Sequence, residues 1–168
     1  ATVRCCTQNG ARGGSATVHF PIWHQEIEDI LVLKNNKGTE DNRVRKLDYS
    51  IQISKLFYER FIKNTDITLF SPNHVPGLYE AFGLPEFDSL YLKYEKDKSI
   101  PKSTIGAQEL FQALLKERAE TGRIYIMNLD HCNTHSSFKD KVYMSNLCQK
   151  IALPTTPVQH IDDKEGEI

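Results

Sequence analysis

The feature that most constrains the fold is a change of hydrophobic period between residues 107 and 128. Ala107, Leu110, Phe111, Leu114 and Leu115 recur at i, i+3, i+4, i+7 and i+8, an apolar stripe along a helix over Ala107–Ala119. Thr121-Gly122 stops that helix, and RIYIMN (Arg123–Asn128) continues with the two-residue period of a strand. The same switch occurs upstream in reverse order. Ala16, Val18, Phe20 and Ile22 alternate with Thr17, His19 and Pro21 as a strand whose end Pro21 puts at an edge or exit, and Ile27, Ile30 and Leu31 then take helical spacing. Strand and helix alternating along a chain predict an α/β fold with a largely parallel sheet.

The remaining segments fill in around this frame. A short helix-like stretch through Thr7 precedes QNGARGGS, a Gly-rich turn. Asn35-Asn36-Lys37-Gly38 breaks the helix after Leu31. A longer helix is expected over about Asp41–Lys63, on a stripe of Val44, Leu47, Ile51, Tyr58 and Phe61. Ile67–Phe70 reads as a short strand, SPNHVPG as a loop whose Pro76 opens a helical turn, and Phe87, Leu90, Tyr91 and Tyr94 as another helix. That makes about four strands in 168 residues, without internal repeats, and the acidic tail HIDDKEGEI adds no closing element. The expectation is part of a larger sheet or barrel. The first residue, Ala, fits an internal piece or a processed start.

Composition excludes several classes of partner. Apolar residues make up 39% and charged residues 26%, as in soluble globular proteins. A formal charge of −1 supplies no basic field for DNA, RNA or a membrane surface. No apolar run approaches the roughly 20 residues of a membrane span, and ATVRCCTQNG lacks a signal pattern. Cys5, Cys6, Cys132 and Cys148 form no regular framework and no CxxC pair, which favours reduced thiols in the cytoplasm.

Three stretches carry candidate chemistry. In MSNLCQKIALPT, a strand would point Asn146, Cys148 and Lys150 to one side over about 6–7 Å, roughly the size of a sugar ring. A polar–thiol–charged row is unusual on a core face, yet free cysteine is commonly a buried small hydrophobe. The loop CTQNGARGGS combines Gly10, Gly13 and Gly14 with Gln8 and Arg12, which suits phosphate or carboxylate recognition and equally suits a plain turn. His131, Cys132 and His135 in DHCNTHS, with Cys148 as a fourth ligand, lack the paired spacing of a zinc site, and structural roles are the simpler reading. No metal is expected. His19, His24 and His74 look incidental, and His160 solvated.

Taken in order, TQNGARGGSATVHFPIWH, LVLKNNKGTEDNRVRKLDYSIQISKLFYERF, DITLFSPNHVPGLYEAF, ERAETGRIYIMNLDHCNTHS and SNLCQKIALPT resemble the large catalytic subunit of class Ia ribonucleotide reductases, nearest to enterobacterial and T4-like phage versions. The resemblance covers nearly the whole chain. It implies one partial domain over residues 1–168, a piece of a ten-stranded α/β barrel with an incomplete sheet and flanking helices, not an autonomous unit. It implies an oxidoreductase that converts ribonucleoside diphosphates to deoxyribonucleotides by thiyl-radical chemistry. Cys148 matches the family's radical cysteine and Asn146 the asparagine that binds the substrate sugar. Lys150 stands where the family carries a glutamate acting as general base, and an ammonium offers donors without an acceptor. Cys6, Gln8, Arg12, Gly13 and Gly14 match the loop that relays effector identity to the substrate base.

The resemblance also implies what must come from elsewhere: a radical from a small subunit, an external thiol reductant, nucleoside triphosphate effectors, and the rest of a dimerising large subunit. The redox cysteine pair, the phosphate-binding segment, the relay tyrosines, the C-terminal cysteines and the ATP-sensing region all fall outside these residues. The isolated chain is expected to be inactive. The alternative from a different class is a non-catalytic nucleotide- or metal-binding module.

Overall fold

The computed structural model describes residues 3, 6–35, 37–39, 44 and 47–155. Most of the helix-like stretch through Thr7, residues 41–43, 45 and 46 of the expected long helix, and the tail from 156 onward lie outside the described residues. In chain order the elements are β1 (Thr17–Pro21), α1 (Ile27–Val32), β2 (Asp48–Ile53), α2 (Lys55–Lys63), β3 (Asp66–Phe70), a 3₁₀ turn (Pro72–His74), α3 (Leu78–Ala81), α4 (Phe87–Lys96), β4 (Lys102–Gly106), α5 (Ala107–Thr121), β5 (Ile124–Asn128) and α6 (Leu129–Thr134).

β1, β2 and β5 form a parallel sheet in that order, with His19 opposite Ser50 and Ser50 opposite Tyr125. β3 and β4 pair antiparallel as a separate ribbon. The α/β expectation with a largely parallel, unclosed sheet therefore holds. The expected long helix does not: Asp48–Ile53 is the central strand, and the helix begins only at Lys55. Leu47 and Ile51 are four residues apart by coincidence. Tyr49, Ile51 and Ile53 also repeat every second residue, and pairing on both edges decides for the strand. β4 (KSTIG) went unread because Ile105 is its only large apolar residue. It is a strand because β3 pairs with it.

Partners in register share a face of the sheet. One face carries Val18, Phe20, Tyr49, Ile51, Ile53, Ile124 and Ile126, of which Ile51, Ile53 and Ile124 belong to the core and Phe20 and Ile126 pack against it. On this side α5 packs against α1, α2 and β5, and Tyr58 of α2 donates to Asn128 Oδ1 at 2.7 Å. The opposite face carries Thr17, His19, Ser50 and Gln52, with Tyr125 and the buried Met127 beside them on β5. A second part of the core is aromatic, where Phe57 meets Phe82, Phe87 and Tyr91 at ring distances of 6.2, 6.0 and 5.5 Å. α2 has no side-chain cap of its own. Asp130 of α6 supplies one, accepting the Lys55 N–H at 2.7 Å.

Tyr91 ties α4 to the ribbon. Its buried hydroxyl accepts from Thr68 N at 2.8 Å and donates to Thr68 O at 2.7 Å, and burial pushes the phenol far up from its ordinary value. Arg60 lies 5.2 Å above the Tyr91 ring and forms a two-pronged ion pair with Glu95 at 2.6 Å. Tyr91→Phe keeps the packing but strands both backbone groups of Thr68. It should cost about 1–3 kcal/mol in urea unfolding, while Phe57, which packs without polar groups, sets the scale for a cavity: Phe57→Ala should cost about 3–5 kcal/mol.

Candidate active site

A parallel sheet in an α/β protein is usually apolar on both faces. Here Ser50 and Gln52 are fully buried on the face away from the helices, and what covers them is not a helix but the irregular segment 141–155. Irregular backbone that crosses a buried surface needs partners for its N–H and C=O groups. The polar face supplies them. Thr17 Oγ1 donates to Leu147 O at 2.7 Å, His19 Nε2 to Ser145 O at 3.2 Å, and Gln52 Nε2 to Tyr143 O at 2.6 Å. The segment returns the contact through Gln149, which accepts from Ser50 Oγ at 3.0 Å and donates to Ile126 O at 2.8 Å. Lys141 fastens the start of the segment, donating to the carbonyls of Tyr79 and Glu80 and lying 4.3 Å from the Tyr143 ring.

The expected strand through Asn146, Cys148 and Lys150 does not form. Residues 146–151 make a tight turn instead, closed by Gln149 N to Asn146 O at 2.9 Å and Asn146 N to Ile151 O at 3.3 Å. Gln149 takes a left-handed φ of 54°. The side chain of Asn146 is the turn's cap: its Oδ1 accepts from Lys150 N and Ile151 N, each at 2.9 Å. The three residues still cluster, but as parts of one turn rather than as a row along a strand. Cys148 and Lys150 are exposed and Asn146 half-buried. Because its carbonyl oxygen is engaged, what Asn146 has left to offer a partner is its amide N–H₂.

A cleft of about 290 Å³ opens beside this turn, lined by Ile126, Asn128, His131, Cys132, Ser145 and Gln149 among others. Burial, helped by the charge of Asp130, raises the Cys132 thiol above its ordinary value and so disfavours the thiolate. The rings of His131 and His135 lie 5.2 Å apart. Among the described residues no group of three or more His, Cys, Asp or Glu side chains is placed to hold a metal ion.

The glycine loop is a tight hairpin. Gln8 and Arg12 pair across it, Gln8 N donating to Arg12 O at 2.9 Å and Ala11 N to Gln8 O at 3.1 Å. Asn9 and Gly10, the central residues of the turn closed by Ala11 N to Gln8 O, have left-handed φ of 51° and 71°, and Ala11 is an extra residue before the pairing with Arg12. Cross-strand partners share a face, so the Gln8 and Arg12 side chains stand together on an exposed tip. Gly14 sits at the base for a different reason: a Cβ there would lie 2.3 Å from the carbonyl oxygens of Cys6 and Val3. Gly13 meets no such constraint.

The residues that sequence reasoning missed are the supports: Thr17, His19, Ser50, Gln52 and Gln149. The signal was present in DYSIQI, where polar residues alternate with apolar ones on a strand buried on both sides. His19 is not incidental. A carbonyl can only accept, so Nε2 carries the proton, and Nδ1 is buried without a partner among the described residues. Burial lowers the His19 pKa, with the Ser145 carbonyl pulling it partly back. A lowered folded value means that the neutral ring contributes fully above about pH 6.5 and that this contribution is lost as pH falls through the folded value.

Amide exchange across residues 145–151, corrected for intrinsic rates, should therefore quicken as pH drops from about 7.5 to about 5.5. His19→Gln, which keeps a donor and cannot titrate, should flatten that dependence. Asn146→Ala removes the acceptor of two N–H groups and should cost roughly 1 kcal/mol locally, read as about fivefold faster exchange at Lys150 and Ile151.

Comparison with known proteins fits this geometry. The family described as ribonucleotide reductase, barrel domain, matches residues 1–162. The chain is 59% identical to the ribonucleoside-diphosphate reductase subunit alpha of Haemophilus influenzae, over 99% of this chain and 23% of that protein. It is 58% identical to subunit alpha of reductase 1 of Escherichia coli, over 93% of this chain and 21% of the relative. The phage T4 subunit alpha is 47% identical over 98% of this chain and 22% of its own length. The chain thus spans less than a quarter of the length of these relatives. The match over residues 1–162 and the identities to these relatives show that the chain belongs to the ribonucleotide reductase barrel-domain family.

Proposed function

We propose that these residues serve as one partial barrel domain of a cytoplasmic ribonucleoside-diphosphate reductase large subunit and carry its hydrogen-abstracting thiol. The observation that carries this is the tethered turn. Cys148 is exposed at its tip, while the residues on either side of it are hydrogen-bonded down to the sheet. In this reading the small subunit supplies the radical, which takes the hydrogen atom from the Cys148 thiol. The thiyl takes the 3′ hydrogen of the ribose, reforming S–H and leaving a carbon radical. A dithiol outside these residues delivers two electrons, the 2′ oxygen leaves as water, and Cys148 returns its hydrogen to C3′. The Asn146 amide donates to a sugar hydroxyl. The paired Gln8 and Arg12 side chains reach the base and answer to the effector nucleoside triphosphate.

Lys150 sits where the mechanism calls for a proton acceptor at the 3′ hydroxyl. It is exposed, and its backbone N–H donates to Asn146 Oδ1. A complete large subunit carrying this segment, assayed for deoxynucleotide formation with its small subunit, tests the assignment. Lys150→Glu should raise turnover by at least about tenfold, and Cys148→Ala in that background should abolish it. Turnover that ignores Lys150→Glu, or survives Cys148→Ala, would remove the turn from the chemistry.

A further inference from the structure

We propose that Gln149 is a positioning residue, held by Ser50 and the Ile126 carbonyl, which fixes the direction of the Cys148 thiol. The inference rests on the assignment of Cys148 made above. Gln149 carries no reacting group. Its importance lies in a combination of features that a surface turn does not need.

The backbone comes first. Gln149 occupies the left-handed region at φ 54°, where glycine and asparagine are the usual residents and a Cβ is a steric burden. A glutamine there is unfavourable unless its side chain returns something. It does: both ends of the amide are used, Oε1 on the Ser50 hydroxyl and Nε2 on the Ile126 carbonyl. Ser50 is fully buried, and β2 holds it between β1 and β5. Gln149 thereby clamps the turn to the middle strand and to β5 at once.

On the other side of the thiol, Thr17 of β1 holds the Leu147 carbonyl at 2.7 Å. Cys148 is therefore bracketed by two residues anchored on three strands. The left-handed residue reverses the chain, so that Gln149 goes down into the sheet and Cys148 is left facing out, exposed. Hydrogen-atom transfer needs the sulfur and the C–H bond within about an ångström of the productive arrangement. The clamp supplies that rigidity to a segment with no helix or strand of its own.

Glycine at this position separates the two roles that Gln149 can have. Gln149→Gly relieves the left-handed conformation and removes the clamp. A residue kept only for turn geometry would be improved by it, whereas a positioning residue would be lost. In the complete large subunit with its small subunit, in the Lys150→Glu background, Gln149→Gly should unfold near the parent's temperature, relief of the left-handed backbone offsetting the stranded Ser50 hydroxyl. Its kcat should nevertheless fall about ten- to a hundredfold with KM for the nucleotide unchanged. Ser50→Ala should reproduce part of the loss and add little on top of Gln149→Gly.

Two readouts need no turnover: amide exchange at Leu147–Lys150 and the alkylation rate of Cys148. Both should rise in Gln149→Gly. Full kcat in Gln149→Gly, or unchanged exchange and alkylation, would overturn the proposal. If the Lys150→Glu parent makes no deoxynucleotide, the catalytic assignment fails on its own, and the exchange and alkylation rates still decide whether Gln149 holds the turn.

Discussion

Everything distinctive about this domain depends on one exchange of hydrogen bonds, between the polar face of a parallel sheet and the backbone of the segment that crosses it. Thr17 and His19 on β1 and Gln52 on β2 donate to alternate carbonyls of that segment, those of Leu147, Ser145 and Tyr143, and Gln149 reaches back to Ser50 and Ile126. A helix or a strand satisfies its own backbone and can be packed by apolar contact alone. A turn cannot, so it can lie over a buried surface only where side chains are placed to meet it. The polar residues of DYSIQI are thus the condition for having a turn, rather than a helix, above this sheet.

The arrangement carries unmet demands. Gln52 Oε1 and His19 Nδ1 are buried without partners among the described residues, on the same face that holds the turn. Stability resides on the other side, in the apolar face against the helices and in the aromatic cluster around Phe57 and Tyr91. The turn that carries Cys148 is thus set on a floor supported from behind, and a cleft opens beside it.

How much of this could be seen beforehand varied with how local the determining physics is. The α5 stripe from Ala107 to Leu115 was legible because its period is unambiguous, and the helix ends at Gly122 in the left-handed conformation. β1 and β5 were legible for the same reason. β2 was not, because six residues of strand pattern ran into a real helix at Lys55 and the two periods blended. β4 had no pattern to find. The Asn146–Lys150 stretch was assigned the period of a strand, whereas a cap from Asn146 Oδ1 and a left-handed Gln149 made it a turn, and neither leaves a periodic trace.

The sequence by itself determined the family, the α/β class and the identity of the residues grouped near Cys148, because hydrophobic period and local composition are written along the chain. Only the tertiary structure decided that Asn146 spends its oxygen on capping, that His19 and Ser50 are supports, and that Gln149 turns downward so that Cys148 faces out. Those outcomes depend on partners up to 130 residues away, as between Thr17 and Leu147, and hydrogen-bond geometry across such separations is set by how the strands align.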